Sequence, residues 1–373
     1  MENKRLLSEQ EHKLKLGNMD YILLFTVIAL TLIGVVMVFS SSYYSTGTSA
    51  KFGYDSYFFL RREIRYSVLG FILLFALSKF PYQNFQNWNM IMYAVIVFLL
   101  FIVLILGKTS NGATRWIMGI QPSEIAKIIL IIVLSNRIAV RSEDMDNFLT
   151  FSFCVAMVGV PIILILSQNM STGLVVTAVC GGIMLISTRK VWYFLPWAIL
   201  AIIGLTLFIL LGDEFRRNRI MGWLNPDSQQ QDINYQNLQG LYAVGSGGLF
   251  GVGLGNSRQK LGFIPEAHND IIFAVICEEL GAVGAGIILL LYIIMIWRCV
   301  KIALDATSLF GTLVAAGVAI MVGVQVFVNV SVVTKVLPNT GIPLPFISYG
   351  GTSLITFMIS MGIVLNISRH YRE

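Results

Sequence analysis

Residues 21–42 read YILLFTVIALTLIGVVMVFSSS, a run with no charged side chain from end to end. Wound as an α-helix it is about 33 Å long, enough to cross the roughly 30 Å hydrocarbon core of a bilayer. Backbone N–H and C=O groups find no water in that core, so such a segment crosses as a helix that satisfies its own hydrogen bonds. Working outward, apolar runs recur near 66–80, 88–106, 120–138, 149–167, 173–187, 192–211, 271–297, 308–330 and 347–367. The pattern predicts an all-α integral membrane protein of about ten transmembrane helices.

Composition points the same way. Of 373 residues, 56% are hydrophobic and 12% charged, which excludes an ordinary water-soluble domain. The formal charge of +6 is spread over tails and short loops, which suits anionic membrane lipids as partners and not nucleic acid. The first twenty residues are polar and basic, and no small-residue cleavage site ends the run after them. That run is therefore expected to be a retained first helix. Cys154, Cys180, Cys277 and Cys299 lie inside apolar runs without disulfide or metal spacing and are expected to serve as packing residues.

An even number of spans puts both termini on one side. The Lys and Arg residues of that side, among them Lys79, Arg137, Arg189 and Arg298, sit in short loops, so both termini are expected in the cytoplasm. The chain then divides into an N-terminal tail at 1–20, one polytopic membrane domain at 21–367 and a C-terminal tail at 368–373. A large extracytoplasmic loop at about 212–270 joins spans seven and eight. It is too long for a connector and is expected to fold back against the bundle.

Several polar stretches interrupt the apolar pattern. GSGGLFGVGLG at 245–255 has G-x-G spacing but no preceding strand and no G-K-[ST], so nucleotide binding fails on context. Its glycines suit close backbone approach, and Arg258 and Lys260, which follow, are candidate phosphate contacts. In NGATRWIMGIQPSEIAK at 111–127, Pro122 suits a first helical turn, so Glu124 and Lys127 share one face. A structural pair is favoured for them over a ligand role, because a charge inside the membrane pairs or lines a wet cavity. SQNMSTG at 167–173 leaves no room for a loop and marks a tight reversal or broken helix. LPNTGIPLPFISYGGTS at 337–353 brings three prolines to the mouth of the last span, with Ser348 and Tyr349 as candidates at a pocket. FIPEAHNDIIFAVICEELG at 263–281 places a His, an Asp and three Glu around one apolar run.

These runs, in this order, closely resemble the SEDS family of bacterial membrane proteins, of which FtsW and RodA are members, from about Asp20 onward. The resemblance implies a peptidoglycan glycosyltransferase that polymerises lipid II outside the bacterial cytoplasmic membrane beside a class B penicillin-binding protein. Carried across residue by residue, the family's essential Asp falls on Asp270, its Arg-Trp pair on Arg115 and Trp116, and its intramembrane Glu and Lys on Glu124 and Lys127. Two departures stand out. Where many relatives read Q-P-D-x-G-T, this chain has Gln168-Asn169-Met170-Ser171-Thr172-Gly173, so that Asp's role does not transfer; where relatives read Q-S, it has Gln239-Gly240.

The chemistry stands beside the resemblance. A β-1,4 bond made from an α-linked lipid pyrophosphate inverts the anomeric centre, so one base and some cations suffice. A general base is typically worth about 10² to 10⁴ in rate. Asp270 at a loop–helix junction suits that base, with simple helix capping as the plainer alternative. Arg115, Arg258 and Lys260 are candidate pyrophosphate partners, Glu266 and His268 are candidate pocket residues, and Glu279 is favoured as structural. A divalent cation is left open, since no ligand cluster in the sequence calls for one. The rival readings are a lipid II flippase and a non-catalytic scaffold for the transpeptidase. Division, elongation and sporulation are not separated by the sequence, although the FtsW-like division role is preferred.

Overall fold

The computed structural model describes residues 18–110, 113–117, 119–210, 223 and 231–370. Its helices are α1 (Tyr21–Gly47), α2 (Phe58–Lys79), α3 (Asn84–Leu106), α4 (Pro122–Val140), α5 (Phe148–Gln168), α6 (Met170–Ser187), α7 (Phe194–Leu210), α8 (Gln231–Ser246), α9 (Ile272–Asp305), α10 (Leu309–Val333) and α11 (Gly351–Ser368). Each expected span coincides with a helix, and α8 lies inside the long loop. Seven of the described helices are long and apolar enough to cross a membrane. A short antiparallel hairpin, β1 (Lys108–Ser110) and β2 (Ala113–Trp116), joins α3 to α4.

The helix starts follow local chemistry. Asp20 accepts from Leu23 N at 2.9 Å and so caps α1. Its second oxygen accepts from Arg298 Nε of α9 at 2.9 Å, which ties the first helix to the far end of the ninth. Pro122 opens α4, where its missing N–H costs nothing. The stretch around SQNMSTG is a broken helix: α5 ends at Gln168, and Asn169 turns out of helical geometry and caps α6 by accepting from Thr172 N at 3.3 Å. Gln168 donates to the carbonyl of Leu100 at 2.8 Å, so the break has a partner on α3.

The core centres on α4, which packs on α3, α5, α6, α10 and α11, and most of its side chains are buried. α2 lies along α11, where a Cβ on Gly362 would come 2.7 Å from the carbonyl of Leu74; small residues permit such close helix contacts in membranes. At the edge, α7 turns Leu195, Ile199, Leu200, Ile202 and Ile203 outward and is held at its start by Phe194 packed edge-to-face on Phe151 and by Trp197 donating to Ser152 at 3.3 Å. All four cysteines are buried and free.

Several expected boundaries were too narrow: α1 runs on to Gly47 and α9 to Asp305. The run placed near 66–80 belongs to a helix that starts at Phe58, so Arg61, Arg62, Glu63 and Arg65 are helical and not loop. A charged first turn hides from a hydropathy reading when its residues face other protein groups or the membrane surface.

Candidate functional site

The glycine-rich stretch and α9 build the site together. α9 is broken at Gly281, whose φ of 68° and ψ of −174° lie outside helical space. At the break the loop pairs with four backbone groups of α9. Val252 N and Gly253 N donate to the carbonyls of Glu278 and Glu279 at 2.9 and 3.0 Å. Ala282 N and Val283 N donate to the carbonyls of Gly248 and Leu249 at 2.9 and 3.1 Å. At membrane depth an unpaired backbone group costs several kcal/mol, so loop and kink sustain each other.

Two glutamates then fasten the rest of the loop. Glu278, buried, accepts from Arg258 N at 2.9 Å, from Gln259 N at 3.4 Å and from the Ser257 hydroxyl. Glu279, also buried, takes the ammonium of Lys260 at 2.6 Å and the hydroxyl of Ser40 from α1. Lys260 is 6% exposed and donates to Ser40 Oγ as well, at 2.9 Å. Its charge is thus engaged inside the bundle, and it is withdrawn from the phosphate-contact set; Arg258 stays exposed.

Beyond this anchor the chain reaches the junction that precedes α9. Glu266 adopts a positive φ of 50° and pairs with Asn269, whose amide donates to its carboxylate at 2.8 Å. His268 is buried, with its ring centroid 4.1 Å from that of Phe59 on α2 and 5.6 Å from that of Tyr349. Burial lowers the pKa of His268 to about 4, so the ring is neutral at pH 7. Tyr349 N donates to the His268 carbonyl at 2.9 Å. Asp270 follows, half-buried, and its carbonyl accepts from Asn329 Nδ2 of α10 at 2.7 Å. The N-cap position of α9 falls on Ile271. The Ser348 hydroxyl accepts from Leu344 N at 2.8 Å, closing the turn within the proline-rich segment, so Ser348 is buried as a backbone partner.

His268, Tyr349 and Phe59 therefore pack ring against ring, and Asp270 follows His268 by two residues in the chain. Glu124 and Lys127 form their own buried pair at 2.7 Å, and the ammonium lies 5.4 Å from the centroid of Phe357 on α11. Trp116 is half-buried in β2, which packs on α3, α4 and α5. The side chain of Arg115, and residues 211–222 and 224–230 of the loop, lie outside the described residues. Gln121 N donates to Thr352 at 3.3 Å, linking the hairpin side to the start of α11.

Residues that the sequence reading missed are Glu63, 1% exposed and with one carboxylate oxygen lacking a hydrogen-bond partner among the described residues, and Asn329. A Glu next to two arginines at the edge of an apolar run was the available signal for the first. A cavity of about 510 Å³ lies at the other end of α9, lined by Asp20, Arg298, Lys301 and Asp305, and includes no candidate residue. Among the described residues no group of three or more His, Cys, Asp or Glu comes together to hold a metal.

Comparison with known proteins extends this picture. The FtsW/RodA/SpoVE family model, described as "Cell cycle protein", matches residues 21–373. Stage V sporulation protein E of Bacillus subtilis (strain 168) is 37% identical, over 95% of this chain and 98% of its own length. A probable peptidoglycan glycosyltransferase FtsW of Geobacter sp. (strain M18) is 36% identical, over 95% and 97%. Among solved structures, a chain from a study titled "Structural coordination of polymerization and crosslinking by a peptidoglycan synthase complex" superposes with a TM-score of 0.79 at 26% identity, covering 95% of this chain and 99% of that one. The rod shape determining protein RodA of Thermus thermophilus gives a TM-score of 0.68 at 25% identity, over 95% and 98%.

Proposed function

The chain belongs to the FtsW/RodA/SpoVE family, and from that premise we propose that it is a peptidoglycan glycosyltransferase that polymerises lipid II into glycan strands in bacterial cell-wall synthesis. The observation that carries the reaction is the junction at Asp270, a loop–helix boundary whose backbone is held by α10 at Asp270 itself and by α2 and the proline-rich segment at His268 two residues before it. Rigid support of that kind is what a base needs if it is to meet a hydroxyl in productive geometry.

In the proposed step Asp270 takes the proton from the acceptor sugar's 4-hydroxyl. That oxygen attacks the anomeric carbon of the donor sugar from the face opposite the pyrophosphate. The new C–O bond forms as the bond to the lipid pyrophosphate breaks, and the leaving group departs with the electron pair. Arg258 and Arg115 are the cations assigned to its charge, since Lys260 is already paired with Glu279. His268, neutral and buried, walls the pocket and does not supply a charge. The active site is extracytoplasmic and both termini are cytoplasmic. A class B penicillin-binding protein crosslinks the product, and the likeness to a chain of a peptidoglycan synthase complex supports that partnership.

Lys127, the charge a flippase would most readily use, is closed within its pair with Glu124, which favours the enzyme over transport. The test is polymerisation of labelled lipid II by purified protein in detergent, alone and with the penicillin-binding partner. Wild type is expected to form polymer and a folded Asp270→Asn variant to lose at least about 100-fold in turnover. Equal polymer from both would overturn the assignment of the base, and none from either, with the partner present, would overturn the glycosyltransferase reading.

A further inference from the structure

We infer that Asn329 is a positioning residue for Asp270, a role that rests on the glycosyltransferase reading of the same junction. Asn329 lies on α10 and is 1% exposed. Its amide nitrogen makes two hydrogen bonds, to the carbonyl of Asp270 at 2.7 Å and to that of Ile342 at 2.9 Å. Both partners are acceptors, so the amide orientation follows from chemistry: the nitrogen faces the two carbonyls and the oxygen faces away.

Asn329 gives the Asp270 carbonyl a donor from a different helix. α9 begins with Ala274 N donating to Ile271 at 2.9 Å, so the helix's first bond is taken one residue past Asp270. Ile342, in turn, lies in the irregular segment before α11. That segment returns to the junction, since Leu344 N and Ser348 close a turn and Tyr349 N donates to the carbonyl of His268. Asn329 therefore completes a ring of contacts: from Asp270 to Ile342, along the turn to Tyr349, and back to His268 two residues before Asp270. With the ring closed, the carboxylate's backbone is held from both sides. Asn329 supplies the hold from α10.

A second observation shows that the position is occupied for its donors. The carbonyl oxygen of Asn329 is buried and has no hydrogen-bond partner among the described residues. An amide that leaves its acceptor buried and unpaired is a poor choice for stability alone. An apolar residue of similar shape would avoid that cost but would take the donor from the carbonyls of Asp270 and Ile342, so the two donors are what the position keeps.

The test uses the full chain with its penicillin-binding partner and measures kcat and KM for labelled lipid II per folded molecule. Asn329→Leu removes both donors at similar volume, and Asn329→Ser keeps one short donor. Asn329→Leu is expected to lower kcat about 100-fold, the scale of a misplacement of about 1 Å, with KM changed less than threefold and Asn329→Ser in between. In an Asp270→Asn background, Asn329→Leu is expected to cost nothing further, because a residue acting through Asp270 has nothing left to position. Unchanged kcat per folded molecule in Asn329→Leu overturns the inference, and so does a full additional loss in the double variant. If Asn329→Leu fails to fold, Asn329→Ser decides in the same way. Should Asp270→Asn itself remain active, the proposed base falls and the failure lies there; should it be inactive while both Asn329 variants turn over normally, the positioning role alone falls.

Discussion

A side chain at Gly251 would place its Cβ 2.6 Å from the backbone nitrogen of Gly281, so these two residues, thirty positions apart in the chain, meet backbone to backbone. Gly251 has a φ of 77° and Gly281 a φ of 68°, and each is hemmed in where it bends. The kink of α9 and the glycine loop are one object.

Gly281→Ala is therefore expected to destabilise the protein by about 3 kcal/mol or more, combining backbone strain with loss of the loop's seat. The melting temperature in detergent should fall, and limited proteolysis should newly cut within 247–255. A variant that melts like wild type and resists protease would show that the loop does not depend on the kink.

Glu279→Ala leaves the ammonium of Lys260 buried without its carboxylate and is expected to cost about 3 to 5 kcal/mol. Adding Lys260→Ala removes the stranded charge, so the double variant should be more stable than the Glu279 single variant. Additive losses would indicate that the two side chains act independently.

Glu124→Gln removes the carboxylate that faces Lys127, whose side chain is fully buried. A loss of about 3 kcal/mol is expected, with Lys127→Met recovering part of it. A neutral result by thermal melting would mean that Lys127 finds another partner.

His268 supplies a pH dependence. Its folded pKa of about 4 lies below the ordinary value of 6.5, so on acidification the unfolded chain takes up its proton first. The stability tied to the neutral ring is present above pH 6.5 and is lost as pH falls from there towards 4. Between pH 7 and pH 5 this amounts to about 2 kcal/mol. His268→Phe should lose that part of the pH dependence of melting, and identical pH profiles for variant and wild type would refute the assignment.

Much of the molecule was legible in the chain itself. Each apolar run falls on a described helix, seven of them long and apolar enough to cross a membrane, because hydropathy is local and a bilayer demands that each span satisfy its own backbone. The broken helix at Gln168–Asn169, the start of α4 at Pro122 and the Glu124–Lys127 pair also follow from neighbours within a few positions. The polar cluster around Asp270 stood out for the same reason. Tertiary structure alone decided which groups meet across the fold. Lys260, read as a phosphate contact, turned inward because Glu279 and Ser40 wait there, the latter two 239 positions apart. Ser348 spends its hydroxyl on its own turn. Asn329 reaches Asp270 across 59 positions, and nothing in the periodicity of an apolar helix marks one amide as a donor to a distant carbonyl. Local pattern sets what a segment must be in a membrane, whereas the partner of each buried polar group is set by how the segments pack, since each such group must find one somewhere in the folded chain.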